Sequence, residues 1–203
     1  VEHFFKKSLL SEYIEDHGEN MTINELRILI FQLCYILTLI QNKYPEFRHN
    51  NLNSNMIHVY HKNSNSERIR KYNINDIIFS VPSIGFEIKL NNFHNSVIQG
   101  TIDNKSINKN MKVKDTSYDL ITFLNSFDEY KSFAVFKNDE FINFKKRVIK
   151  NKLSPLNVLQ NDKFFSSIKI SSDIELSSES HKSVKNNSSE EGFSPSLEKL
   201  STF

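Results

Sequence analysis

The chain has 203 residues, with 26 basic and 24 acidic side chains; the net charge of +2 provides no general attraction to nucleic acid or to an anionic membrane. Hydrophobic content is only 38%, but 17 Phe and 7 Tyr supply bulk for the core of one domain, followed by a tail. The single cysteine, Cys34, excludes an internal disulfide and a cysteine-based zinc site, and it fits a reducing compartment.

Ser8 to His17 is predicted to be a short helix with Leu9, Leu10, Tyr13 and Ile14 on one face, ended by Gly18. Thr22 followed by Glu25 reads as a capping box. The helix it opens runs to about Asn42, with Leu26, Leu29, Ile30, Leu33, Cys34, Leu37 and Ile40 at three- and four-residue spacing. Ile28, Phe31 and Ile36 widen that stripe, so the helix is expected to be buried on most sides. No apolar run is expected to reach membrane-spanning length, and the N-terminus has no signal-peptide pattern.

Pro45 stops the long helix, and a polar loop follows from Arg48 to Asn55. Met56 to Tyr60 reads as a strand. Arg68 to Ile74 and Ile77 to Val81 read as a hairpin around Asn75-Asp76, although neither residue is the glycine a tight turn prefers. Phe86, Ile88 and Leu90 alternate with Glu87 and Lys89, as in a half-buried strand. Residues 91–116 form a long polar stretch in which Lys105, Lys109, Lys112 and Lys114 concentrate positive charge. Helical patterns return over Tyr118 to Phe127, Glu140 to Lys150 and, after the Ser154-Pro155 cap, Leu153 to Phe165. From Ser166 to Phe203 the chain is rich in Ser, Glu, Lys and Asn, and reads as a disordered tail with a Ser194-Pro195 site. The expected domains are therefore 1–165 and the tail 166–203.

The loop Arg48 to Met56 reads RHNNLNSNM. An Asn-rich stretch of this kind also makes an ordinary polar turn. Its flanks decide between the two readings: YPEFRHNNLNSN, then GFEIKLNNF, then Tyr118-Asp119-Leu120, then SPLNVLQNDKFF, in that order. Together they resemble the C-terminal lobe of the eukaryotic-like serine/threonine protein kinases of large cytoplasmic DNA viruses, over about Phe4 to Phe165. The usual kinase loop is H-R-D-L-x-x-x-N, in which the Asp accepts the substrate proton and the Asn holds magnesium.

The resemblance implies an α+β, mainly helical fold: a kinase-like C-terminal lobe with small β-hairpins and no N-terminal lobe in this chain. Nothing before His49 forms a glycine-rich loop, and Gly18 is the only glycine there. The resemblance implies structural roles for His49 and Asp119, with Asp119 anchoring the loop backbone. It places Asn51 at the catalytic-base position and Asn53 where a phosphate-holding Lys or His is expected. Met56 stands at a metal-binding Asn position. Phe93 matches the centre of D-F-G, with Asn92 at its metal-binding Asp and His94 at its Gly. An amide is no carboxylate base, and a thioether is a poor ligand for a hard cation.

The expected function is thus a catalytically defective, pseudokinase-like module that binds protein, either an active kinase or a kinase substrate. No cofactor, metal site, nucleic acid or membrane span is expected, and the setting is the cytoplasm (host cytoplasm or virion if viral). The alternative is a fragment of a divergent kinase that uses ATP and Mg to phosphorylate protein. For His58, His61 and His94, no His/Asp/Glu cluster has convincing ligand spacing.

Overall fold

Residues 4–62, 69–98 and 115–170 are described by a computed structural model. Lys105, Lys109, Lys112, Lys114 and the Ser-rich tail beyond Ile170, including Ser194-Pro195, lie outside those residues. Mixed helix and sheet build the described part, compatible with α+β.

The organising element is α2, Ile23–Lys43. Its capping box forms as the sequence predicts: the Glu25 amide donates to Thr22 Oγ1 at 3.2 Å, and the Thr22 amide donates to Glu25 Oε2 at 2.7 Å. Leu26, Leu29, Ile30, Phe31, Leu33, Cys34 and Leu37 are fully buried. Each such side chain is worth roughly 2 kcal/mol of transfer free energy, so the rest of the core assembles around this helix. The expectation that no apolar run reaches membrane-spanning length is corrected here. By length and composition α2 is long and apolar enough to cross a membrane, with a mean hydropathy of 1.7. In this fold it is a core helix, and it carries a buried Arg27 whose Nε donates to the Phe164 carbonyl at 2.7 Å and whose Nη2 pairs with Glu140 at 2.6 Å.

Before α2 lie β1, Phe4–Leu9, and α1, Leu10–His17. The sequence does not forecast β1, and the helix starts later than its apolar spacing suggests. The strand forms because a distant partner exists: β1 pairs antiparallel with β3, Ile57–Lys62, which pairs in turn with β6, Phe86–Leu90. Gly18 does end α1, but its backbone is right-handed. The glycine is required by space, because a Cβ there would sit 2.5 Å from the Ile14 carbonyl and 2.8 Å from the Phe133 ring.

The hairpin β4 (Ile69–Ile74) and β5 (Ile77–Pro82) turns through Asn75 and Asp76, at φ of 48° and 65°. Both residue types tolerate the left-handed region, which removes the need for glycine. The predicted final helix divides into α5 (Pro155–Asn161) and a 3-10 turn (Lys163–Ile168), after which β8, Lys169–Ile170, adds to the edge of β5. Ile168 is buried, so the compact unit continues to Ile170, past the boundary expected at Phe165. Between them, α3 (Tyr118–Ser126) and α4 (Asp139–Asn151) flank two short 3-10 turns. The Phe residues of this region divide in the same way: Phe123, Phe127, Phe136, Phe141 and Phe144 are buried, and Phe133 is partly so.

Candidate functional site

The Asn-rich loop is held at both ends. It leaves β2, Phe47–Arg48, which pairs with β7, Val97–Ile98, through Phe47↔Ile98 and Arg48↔Val97. It re-enters regular structure through the 3-10 turn Ser54–Met56, where the Ser54 hydroxyl meets the Tyr130 hydroxyl at 2.9 Å in a buried hydrogen bond. Leu52 is fully buried and plugs the loop into the core.

Asp119, in the first turn of α3, fixes the start of the loop. The His49 amide donates to its Oδ2 at 2.7 Å and the Asn50 amide to its Oδ1 at 3.0 Å. The carboxylate is 1% exposed. Burial pushes its pKa up, opposed by the two amides and by the charges of His49 and Arg48. Arg48 lies over the Tyr118 ring at 3.8 Å, a cation–π contact directly beside the anchor. Asn50 takes φ of 64°, which turns its side-chain amide to donate to the Asn95 carbonyl at 3.0 Å.

The second segment follows β6. The Asn91 amide donates to the Met56 carbonyl at 2.9 Å, and the Asn91 carbonyl accepts from His49 Nε2 at 2.9 Å. Asn92 then takes the left-handed conformation at φ 54° and opens the 3-10 turn Phe93–Asn95. The Phe93 ring is 49% exposed, tilted against His49 with centroids 5.3 Å apart. Asn92 and His94 are exposed. The fold therefore brings His49, Asn50, Asn91, Phe93 and Asp119 into one hydrogen-bonded and packed cluster.

Asn51, Asn53 and Met56 are half-buried in the loop itself. Asn53 Nδ2 donates to Asn51 Oδ1 at 3.3 Å, and Asn53 Oδ1 accepts from the Asn55 amide at 2.9 Å. These amide oxygens serve the loop's own conformation. A magnesium ion needs hard, mostly anionic oxygen ligands in octahedral array. Neutral amides and a thioether do not meet that need, and both oxygens of Asp119 are committed to backbone amides, so this donor set does not fit the ion. Among the described residues no group of three or more His, Cys, Asp or Glu side chains is placed to hold a metal.

Sequence reading missed the Asn91 carbonyl, Asn50, Asn95 and Tyr130 as parts of the site. Only Asn50 carries a local signal, the preference of Asn for left-handed turns. The others are recruited through backbone atoms or from remote elements.

This chain is similar to viral kinase-named proteins. It is 30% identical over 154 residues to "Putative serine/threonine-protein kinase R400" of Acanthamoeba polyphaga mimivirus, covering 69% of this chain and 33% of that protein. It is 29% identical over 146 residues to "Putative serine/threonine-protein kinase R301" of the same virus, covering 69% of this chain and 35% of that protein. The chain thus spans about a third of the length of the curated relatives it matches. No protein-family model matches the chain, and no solved structure gives a significant match.

Proposed function

We propose that this chain is a kinase-like C-terminal lobe, in the compact unit that ends at Ile170, that has lost phosphotransfer chemistry and serves as a protein-binding or regulatory module. The observation that carries this reading is an asymmetry. The scaffold of the loop is complete, with Asp119 gripping His49 and Asn50 and with His49 donating to the Asn91 carbonyl. The chemical positions Asn51, Met56 and Asn92 carry no carboxylate. A positioned general base contributes about 10² to 10⁴ in rate, and metal clamps on the phosphates add electrostatic stabilisation beyond that. Loss of both leaves a folded surface without an engine. The partner in this reading is a protein, either an active kinase or a kinase substrate, met in the host cytoplasm or in the virion. Neither ATP nor magnesium has a role.

A thermal-shift titration with ATP, with and without magnesium, tests the proposal on this chain and on the longest natural form. A ligand selective for the folded state raises the melting temperature by mass action. The expected result is no magnesium-dependent shift in either form. A shift in this chain would sink the reading.

A second reading is favoured by the relatives' names and by their length. In it, the chain is part of a divergent serine/threonine kinase that takes ATP and Mg through residues supplied by a longer form. Transfer of radiolabelled phosphate from ATP to a protein substrate by that longer form, abolished by Asn51→Ala or Asn92→Ala, would establish it.

A further inference from the structure

The two 3-10 turns after α3 and one face of α4 line a half-open cavity of about 510 Å³. This is within the size range of sites that take small ligands or anchoring side chains. Its floor is built by the buried rings of Phe127, Phe136 and Phe141, with Ile142 and Ile149 on the α4 side. The rings of Phe127, Phe136 and Phe141 form a triangle with centroid separations of 4.9, 5.8 and 5.9 Å. Such mutual packing fixes the floor before anything binds. Ile149 is 36% exposed at the edge, apolar surface that water meets in the free protein.

The rim has the opposite character. Lys131, Lys137, Lys145 and Lys146 line it against a single carboxylate, Asp128. Asp128 is itself engaged by Lys145 at 2.8 Å and Lys131 at 3.3 Å. Four cations facing one anion is a strong local excess in a chain whose total is only +2. The lysines come from three separate elements: the end of the first turn, the end of the second turn, and α4. Positive charge therefore surrounds the cavity instead of marking one point on it. A fatty acid offers a single carboxylate head and would answer one lysine. An extended acidic segment answers several.

We propose that this cavity is the docking site for an acidic peptide segment of a partner protein. One or two large apolar side chains, Phe or Leu, seat on the aromatic floor, and flanking Asp or Glu residues face the lysine rim. The proposal deepens the binding-module reading and rests on it for its biological meaning, but its geometry lies away from the Asn-rich loop.

The test is fluorescence anisotropy on the full chain, using a fluorescein-labelled peptide in which Phe and Leu are set among Asp and Glu. A control peptide carries Ser in place of Phe and Leu, and oleate is added as a competitor. The expected result is saturable binding of the first peptide only, weakened by salt because the rim is solvent-exposed. Lys137→Glu combined with Lys146→Glu is expected to weaken binding about tenfold or more, the range for opposing charge at an interface. Ile149→Asp is expected to do the same by placing charge on the apolar edge. All three positions are exposed, and thermal melts establish that each variant is folded. Absence of saturable binding up to about 1 mM, the weakest affinity worth the name of a site, overturns the proposal. So does equal binding of the Ser control, indifference to both variants, or oleate binding without competition against the peptide. A magnesium-dependent ATP shift would remove the dead-site reading and leave the peptide result standing; failure of peptide binding leaves the ATP result standing.

Discussion

Asp119 accepts the backbone hydrogen of His49, a residue 70 positions earlier, at 2.7 Å, and so ties α3 to the Asn-rich loop. Its other oxygen takes the Asn50 amide. Asp119→Ala leaves two buried amides without partners and is expected to cost about 3 kcal/mol, the range for buried hydrogen bonds to a charged group. Chemical denaturation monitored by circular dichroism measures it. Asp119→Asn keeps one acceptor and loses less.

The same residue gives a pH signature. Its pKa is raised in the fold, with burial as the leading cause. Between the ordinary carboxylate pKa and the folded one, the folded state holds a proton that the unfolded chain has released. The stability linked to this group is therefore full below the ordinary carboxylate range and is lost as pH rises through the folded pKa. In denaturation curves across that range, wild type is expected to gain stability relative to Asp119→Asn on acidification. A flat difference would contradict the raised pKa.

His49 is expected to carry a proton on Nε2, because its partner there is a carbonyl, which only accepts. Nitrogen NMR of the imidazole distinguishes the two tautomers. His49→Ala removes that bond and the contact with Phe93, for an expected loss of about 2 kcal/mol.

Cys34 is fully buried in α2, and burial pushes its thiol pKa far up. A thiol reagent is expected to label it only after unfolding, at a rate set by opening of the core. Rapid labelling of the native chain would show that α2 is not packed as described.

Tyr130→Phe removes the hydroxyl that meets Ser54 and leaves Ser54 Oγ buried without its partner. The expected cost is about 1 to 2 kcal/mol, read as a lowered melting temperature.

What the sequence makes legible is local. The Thr22–Glu25 box, the stripe of α2, the alternation of Phe86–Leu90 and the Asn75–Asp76 turn each follow from residues within a few positions of one another. In the candidate site, the turn preference of Asn50 is local in the same sense, whereas the roles read at Asn51, Met56 and Asn92 rest on the resemblance alone. What is not legible depends on remote partners. β1 exists because β3 lies beside it, and Arg27 is buried because Glu140 and the Phe164 carbonyl neutralise and bond it. The helical pattern of Leu153 to Phe165 does not reveal that the chain breaks at Asp162. There the Asp162 side chain accepts the Phe164 amide at 2.9 Å and pairs with Arg147 at 2.7 Å. The lysine rim is equally hidden, since its cations come from separate elements.

The short β2–β7 ladder has a mechanical consequence. It joins the entrance of the Asn-rich loop to the exit of the Phe93 turn, and His49–Asn91 and Asn50–Asn95 cross-link the interiors of the same two segments. The two segments are thus braced against each other, and a ligand resting on the exposed Phe93 ring would bear on the loop that Asp119 holds.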